Sequence, residues 1–371
     1  MEIKTAFEGI EDPRRKNSVD YPLSDILTLV MGAVVCRVTE LEDMMSYFEN
    51  SAEFYKENFN IEAIASKSTF SRVLNILNPD TVKDVMIEIM KKHTKEIGDI
   101  IAFDGKTVRG TVDVNNPHSF LQILSAYATE SGVILAQQPI NTDDKTNEIP
   151  VVQEMLKDLN IRGKTVTADA MHCQKETCEA IIDAGANYVI GLKNNQKNFY
   201  QDVELFFQDP FYQKQMMTFE TLEKNGGRVE KRTINVTENI GWLANLGDWA
   251  GLRALFSVTR CVTTAGKTTE ETSYYITSCE PNAEDLLYIT RSHWMIESMH
   301  WSLDVVFHED NNGFESNNTQ KVLNSLRKLA LFAHKLHVST QPEKNRRSVK
   351  QNAFHALLNN NVCLQVLSLI G

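Results

Sequence analysis

Apolar positions recur at helical spacing through the first 95 residues. Leu23, Ile26, Leu27, Leu29, Val30, Ala33 and Val34 follow Asp20-Tyr-Pro22, an acid standing as cap candidate ahead of a proline. Glu40 to Phe48 and Asp80 to Met90 keep the same period. Ser66 opens a short capped helix bearing Arg72. It has the form of the second helix of a helix-turn-helix, but short helical hairpins are common, so plain packing is the favoured reading. Near residue 98 the period changes. Ile100 to Phe103 is a compact apolar run ending on Asp104-Gly105, and Phe120 to Ala128 and Val133 to Gln138 are strand-like runs joined by a turn ending on Gly132. Asn147-Glu-Ile-Pro150 opens a helix whose stripe is Val151, Val152, Met155, Leu156 and Leu159. A strand over Lys164 to Asp169, a helix from about Gln174 to Ala184 and a strand over Tyr188 to Leu192 follow. The order β-β-β-α-β-α-β predicts an α/β fold. An antiparallel start and right-handed βαβ steps would make a mixed sheet flanked by helices.

From 213 to 280 the pattern is all-β, with Thr218 to Leu222 and Val229 to Val236 flanking the hairpin signal Asn225-Gly226-Gly227. Leu255 to Cys261 and Ser273 to Thr277 supply two more strands. Helical spacing returns from Glu284 to about Phe307 and from about Thr319 to Leu336. The predicted divisions are a helical region over 1–95, an α/β domain split between 96–212 and 281–337, a β-rich insertion over 213–280, and a basic tail over 338–371. Residues 321–350 hold eight Lys and Arg against one acid, Glu343.

Composition narrows the class. The 371 residues predict two or three domains, and 42% hydrophobic content can bury a large core. The net charge of −11 excludes a uniformly basic nucleic-acid coat but not a local basic surface. Six cysteines without a C-x-x-C pair predict reduced thiols. The charged opening carries no signal-peptide pattern, and the apolar run from Ile26 to Val38 is too short for a span and contains Arg37. The expectation is a cytoplasmic protein with no membrane partner.

Candidate chemistry centres on acids. Phe103-Asp104-Gly105 and Ala168-Asp169-Ala170 each place an aspartate after an apolar strand, where α/β sheets put their ligands. Either alone reads as a turn cap. Two in the same context favour Mg²⁺ or Mn²⁺, since neighbouring carboxylates repel unless a cation lies between them. Such a pair can hold two ions about 3.5–4 Å apart. On the last long helix His293, Glu297, His300 and Asp304 stand at i, i+4, i+7 and i+11, and so share one face. His293 and Glu297 also have plausible zinc spacing, but no H-E-x-x-H and no paired cysteines support zinc. Packed, hydrogen-bonded core histidines are an equal reading of His293 and His300. Lys106, Arg109, Lys193 and Lys197 follow strand ends and could meet phosphates, and Arg228, Lys231 and Arg232 decorate the β region. No Walker loop, dinucleotide fingerprint or nucleophile elbow appears.

These strings resemble the insertion-sequence DDE transposases of the group that includes the H-repeat-associated proteins. Phe7-Glu-Gly-Ile-Glu-Asp-Pro-Arg-Arg with Tyr21-Pro-Leu-Ser-Asp-Ile-Leu is similar to the family's amino-terminal associated domain. Ile101-Ala-Phe-Asp104-Gly-Lys-Thr-Val-Arg109-Gly resembles the first catalytic block. Lys145-Thr-Asn-Glu-Ile-Pro150, Val166-Thr-Ala-Asp169-Ala-Met-His-Cys-Gln and Tyr188-Val-Ile-Gly-Leu-Lys-Asn-Asn-Gln196 resemble the second. His293-Trp-Met-Ile-Glu297-Ser-Met-His-Trp-Ser-Leu-Asp304-Val-Val-Phe-His-Glu-Asp310 resembles the third. The resemblance implies an RNase H-like core with a β insertion before the last acid. It implies Asp104, Asp169 and Glu297 as the metal-binding catalytic triad, with Mg²⁺ (Mn²⁺ as substitute) as cofactor. It also implies double-stranded DNA as partner, both terminal repeats and target, and a homodimer on that DNA at the nucleoid. Lys106, Arg109, Lys193, Arg228, Arg232 and Arg291 are the expected nucleic-acid contacts.

Two positions depart from the family pattern. Gly226-Gly227-Arg228 stands where the family usually reads His-Gly-Arg, and Asn311-Asn-Gly-Phe-Glu-Ser follows Asp310 where arginines are usual. The first expectation is a metal-dependent transposase that cleaves and transfers DNA strands. The alternative is a catalytically silent, transposase-derived DNA-binding protein, favoured by the acidic balance and the missing basic positions. A third reading is an RNase H-like nuclease without strand transfer.

Overall fold

The computed structural model describes residues 2–15, 19–111, 120–140, 148–311, 314 and 316–371. Six helices come first: α1 (Glu2–Glu8), α2 (Leu23–Val35), α3 (Leu41–Asn50), α4 (Ala52–Phe59), α5 (Lys67–Ile76) and α6 (Pro79–Lys92). Ser66 caps α5 by accepting from the Thr69 amide, and Asn78 caps α6 ahead of Pro79. The inner face of α5, Phe70, Val73 and Leu74, is buried, with Phe70 stacked on Phe48. Arg72 is exposed on the opposite side.

The sheet then begins with β1 (Ile100–Val108), β2 (Leu121–Ala128) and β3 (Val133–Ile140). It continues through α7 (Glu148–Asp158), β4 (Thr165–Ala168), α8 (Lys175–Asp183) and β5 (Asn187–Leu192). The order β-β-β-α-β-α-β read from periodicity is therefore the order found. After α9 (Lys197–Gln208) and α10 (Pro210–Gln213) come β6 (Met217–Asn225), β7 (Arg228–Thr237), β8 (Ala254–Thr264) and β9 (Lys267–Thr277). These four strands do not form a separate β body. β9 pairs antiparallel with β5, so the sheet runs β3-β2-β1-β4-β5-β9-β8-β7-β6. The β6–β7 hairpin turns on Gly226 and Gly227, both at positive φ (56° and 83°). A two-residue turn of that kind demands two left-handed residues, which glycine supplies without strain.

The chain ends in four helices, α11 (Ala283–Val305), α12 (Asn317–Ser339), α13 (Val349–Leu358) and α14 (Asn360–Ser368). The stretch expected as a basic tail thus folds, α13 with a capping box between Ser348 and Gln351 and α14 burying Val362, Cys363, Val366 and Leu367. Of the eight basic residues counted over 321–350, Arg327 and Lys328 are buried on α12 rather than displayed. One continuous apolar core runs from Ile3, Phe7 and the almost wholly buried α2 through α12 to Phe103 and Ile190. All six cysteines are free. No helix among the described residues is long and apolar enough to cross a membrane.

One buried histidine joins the two ends of the chain and carries a pH prediction. His334 donates Nε2–H to the Val35 carbonyl (2.9 Å) and accepts from the Asn352 amide at Nδ1 (2.9 Å). Both ring nitrogens are satisfied by the neutral form, and burial lowers the imidazole to about 4. The unfolded chain, near 6.5, binds this proton first, so stability falls as pH drops below about 6.5. Between pH 7 and 5 His334 alone should remove about 2 kcal/mol. Denaturant unfolding of the wild type and His334→Gln across that window checks it, because the variant should lose that part of the slope.

Candidate active site

β1 and β4 lie side by side in parallel, and their pairing ends at Phe103 and Ala168. The next residues are Asp104 and Asp169, so the two acids leave neighbouring strands at the same level. Asp169 lies just past the end of β4, as expected of a strand-end acid. Asp104 does not end its strand: β1 continues to Val108 because β2 still pairs with it, Asp104 opposite Ser125. The strand period of two then sorts side chains by face. Asp104 and Lys106 turn toward α11, while Gly105 faces α7.

α11 is launched by Asn282, whose side chain accepts from the amides of Glu284 and Asp285. Its polar stripe meets the acids at helical intervals. His300 Nδ1 is 3.2 Å from Asp104 Oδ2, and His293 Nε2 is 3.6 Å from Asp169 Oδ1, beyond hydrogen-bond reach. The Thr167 hydroxyl bonds His293 Nδ1 and fixes the ring. The Nε2 atoms of both histidines are buried without a hydrogen-bond partner. Glu297 lies between them. Desolvation by its surroundings pushes its carboxyl up, the imidazoles of His293 and His300 oppose, and the charges of Asp104 and Asp169 add to the rise. The His293 imidazole holds the Asp169 carboxyl below the usual range, against burial, and Lys193 and His172 assist. A cleft of about 470 Å³ opens here, lined by Asp169, Lys193, Tyr275, His293, Trp294 and Glu297.

Among the described residues no three His, Cys, Asp or Glu side chains converge into a ready-made metal cage. The donor chemistry nevertheless fits a hard divalent ion. Three carboxylates, close enough for two to raise the third, are the oxygen set that Mg²⁺ and Mn²⁺ prefer.

The expected phosphate contacts divide into two groups. Lys193 is exposed on the cleft, and no carboxylate among the described residues lies within ion-pair distance of its ammonium. Arg109 is 82% exposed, its guanidinium 3.9 Å from Asp310. Arg228 and Arg232 pair with Glu230 (2.9 and 2.6 Å), and Arg291 with Glu223 (2.6 Å). Arg232 and Arg291 line a second cleft, where Arg260 also sits over the Trp294 ring. Lys106 is a correction: it is 8% exposed and ion-paired to Asp304, Glu309 and Asp310. Its ammonium is engaged by these carboxylates rather than displayed on the surface. Of the motif Lys145 to Pro150, residues 145–147 lie outside the described residues, as do positions 312, 313 and 315 after Asp310.

Sequence reasoning missed a support on the opposite face. Glu148, at the start of α7, accepts from His172 Nε2 (3.0 Å) and Gln122 Nε2 (3.2 Å), and its carboxylate packs against Gly105. A Cβ at Gly105 would stand 2.5 Å from Glu148 Oε2. The signal was the glycine directly after Asp104. Gly105→Ala should therefore cost about 1–3 kcal/mol by overpacking. Urea unfolding checks this, and the double variant with Glu148→Ala should recover part of the loss.

Residues 95–333 match the family model described as a transposase DDE domain, and residues 4–90 match the model described as DDE_Tnp_1-associated. The chain belongs to the DDE-domain transposase family, and its mixed sheet is the family's RNase H-like core. Among its relatives, the H repeat-associated putative transposase YhhI of Escherichia coli strain K12 is 30% identical over 384 aligned residues, covering 99% of each chain. The putative transposase YncI of Escherichia coli O157:H7 is 31% identical over 336, covering 87% of this chain and 84% of the other.

Proposed function

We propose that this chain cleaves and joins DNA strands at the ends of an insertion sequence, with Asp104, Asp169 and Glu297 holding Mg²⁺ or Mn²⁺. The observation that carries the reading is that α11 sets Glu297 against the level at which Asp104 and Asp169 leave paired strands. A divalent ion bound there supplies Lewis-acid activation of the attacking oxygen and charge neutralisation at the leaving oxygen. The protein's part is positioning and electrostatics, as phosphoryl transfer requires. Asp104 sits mid-strand, paired with Ser125 of β2 directly after the β4 ladder ends at Phe103. His300 and His293 stand beside the two aspartates. Lys193 is placed to bind the phosphate next to Asp169, Arg109 to meet the flanking backbone, and Arg228, Arg232 and Arg291 to exchange Glu230 and Glu223 for phosphates. The partners are double-stranded terminal repeats and target DNA, engaged by a homodimer that pairs two ends in the cytoplasm.

The test is a nicking and strand-transfer assay on duplexes carrying the flanking terminal repeats. Mg²⁺-dependent cutting and joining, abolished by EDTA, is expected. End binding with a steep salt slope but no cutting in either metal would replace this reading with the silent DNA-binding derivative.

A further inference from the structure

We propose that Lys106 is a positioning residue, an internal ammonium clamp that ties the strand bearing Asp104 to the helix bearing Glu297. The inference rests on the reading of those two acids as ion holders. Lys106 Nζ is 2.7 Å from Asp304 Oδ1, 3.1 Å from Asp310 Oδ1 and 3.2 Å from Glu309 Oε2. The contact to Asp310 is a hydrogen bond, and those to Asp304 and Glu309 are ion pairs, so one ammonium is held among three carboxylates. On β1 Lys106 lies two residues beyond Asp104 on the same face, about 7 Å along the strand. On α11 Asp304 lies two turns beyond Glu297 on the same face, about 10 Å along the helix. One cation thus fixes how strand and helix sit against each other, close to the carboxylates whose separation decides ion binding.

The clamp has further anchors. Asp310 also accepts the Arg109 amide (3.0 Å), which secures the far end of β1. Glu309 is fully buried and accepts from Asn324 of α12 (2.7 Å), tying the clamp into the core. Withdrawing Lys106 toward a phosphate would leave this carboxylate group short of its nearest cation, which a merely surface lysine never faces. Catalytic constellations lose about a hundredfold for displacements near 1 Å, so a rigid link here acts on chemistry as well as stability.

A phosphate contact and a clamp give different results. The experiment uses the full chain as wild type, Lys106→Met, Asp304→Asn and the double variant. Circular dichroism and thermal melting establish folding in each case. Asp304→Asn keeps the readouts available if Lys106→Met does not fold. Binding to a terminal-repeat duplex is measured in EDTA against salt, Mn²⁺ binding without DNA by calorimetry, and nicking in Mn²⁺. The clamp predicts a salt slope unchanged in all variants and Mn²⁺ affinity about 10-fold or more weaker in each single variant. It also predicts a nicking kcat that falls while DNA affinity stays, and a double variant no worse than the worse single one. A slope reduced by about 0.9 in Lys106→Met with Mn²⁺ affinity intact would mark a phosphate contact and overturn the clamp. So would an Asp304→Asn protein that binds Mn²⁺ like the wild type. If the wild type itself neither binds Mn²⁺ nor nicks, the proposed function falls and the clamp with it. If the wild type does both, only the clamp is at stake.

Discussion

Asp104→Asn is expected to reduce metal-dependent nicking at least about a thousandfold, equivalent to about 4 kcal/mol of transition-state stabilisation, while leaving the fold intact. The substitution keeps the side chain's size and its place opposite Ser125, and removes one carboxylate from a site whose members repel. Glu297 already shows that repulsion, its carboxyl raised partly by Asp104 and Asp169. Thermal melting without metal should therefore be unchanged or slightly higher in Asp104→Asn, the usual pattern for a site built for function at some cost in stability. Asp169→Asn and Glu297→Gln should show the same separation of activity from stability. End-duplex binding in EDTA should persist in all three, because the expected DNA contacts lie on other side chains. Retained metal-dependent nicking in any one of them would remove that residue from the site. A variant that melts early would mean that its acid serves the fold instead.

The acids themselves were legible because each rule used is local. A helix has a fixed phase, so spacing alone placed His293, Glu297, His300 and Asp304 on one face. Asp169 follows a four-residue apolar strand and could be seen at its end. Asp104 was placed correctly beside it for an incomplete reason. The apolar run stops at Phe103, but the strand continues through Lys106 to Val108 because β2 supplies a second ladder. Ladder partners come from elsewhere in the chain, and periodicity does not name them. The same limit hid the attachment of β9 to β5, through which the strands of the β-rich stretch continue the sheet. Charge counting failed for the same reason around residues 321–350. Arg327 and Lys328 look like surface cations until Glu309, from a different segment, meets them in the interior. The helices α13 and α14 were obscured by that basic count too, although Ala353, Ala356, Val362 and Val366 already carried an apolar pattern.

That interior charge group yields the largest expected effect on stability. Glu309 is fully buried, with Arg327 1% and Lys328 3% exposed. Burial alone would push its carboxyl up, yet Lys106, Arg327 and Lys328 together hold it below the ordinary range. Its oxygens are 3.2 Å from Lys106 Nζ and 3.9 Å from Arg327 Nη1. Lys328 is also bonded to Ser125 and Gln137, and burial lowers its ammonium to about 7. Removing the central anion leaves buried cations in the core without it, a loss of about 3–5 kcal/mol. Glu309→Gln keeps the shape and an acceptor for Asn324, so if hydrogen bonding dominated, it would be nearly neutral. If charge compensation dominates, Glu309→Gln should lose most of what Glu309→Ala loses. The second outcome is expected, since the depressed carboxyl shows the folded state favouring the anion. Because the folded carboxyl titrates below the unfolded one, this contribution is complete above about pH 4.3 and fades as pH falls through the folded value. Urea unfolding of both variants at pH 7 decides the matter. The gap between Glu309→Gln and wild type should shrink at low pH, and a gap independent of pH would assign the loss to packing instead.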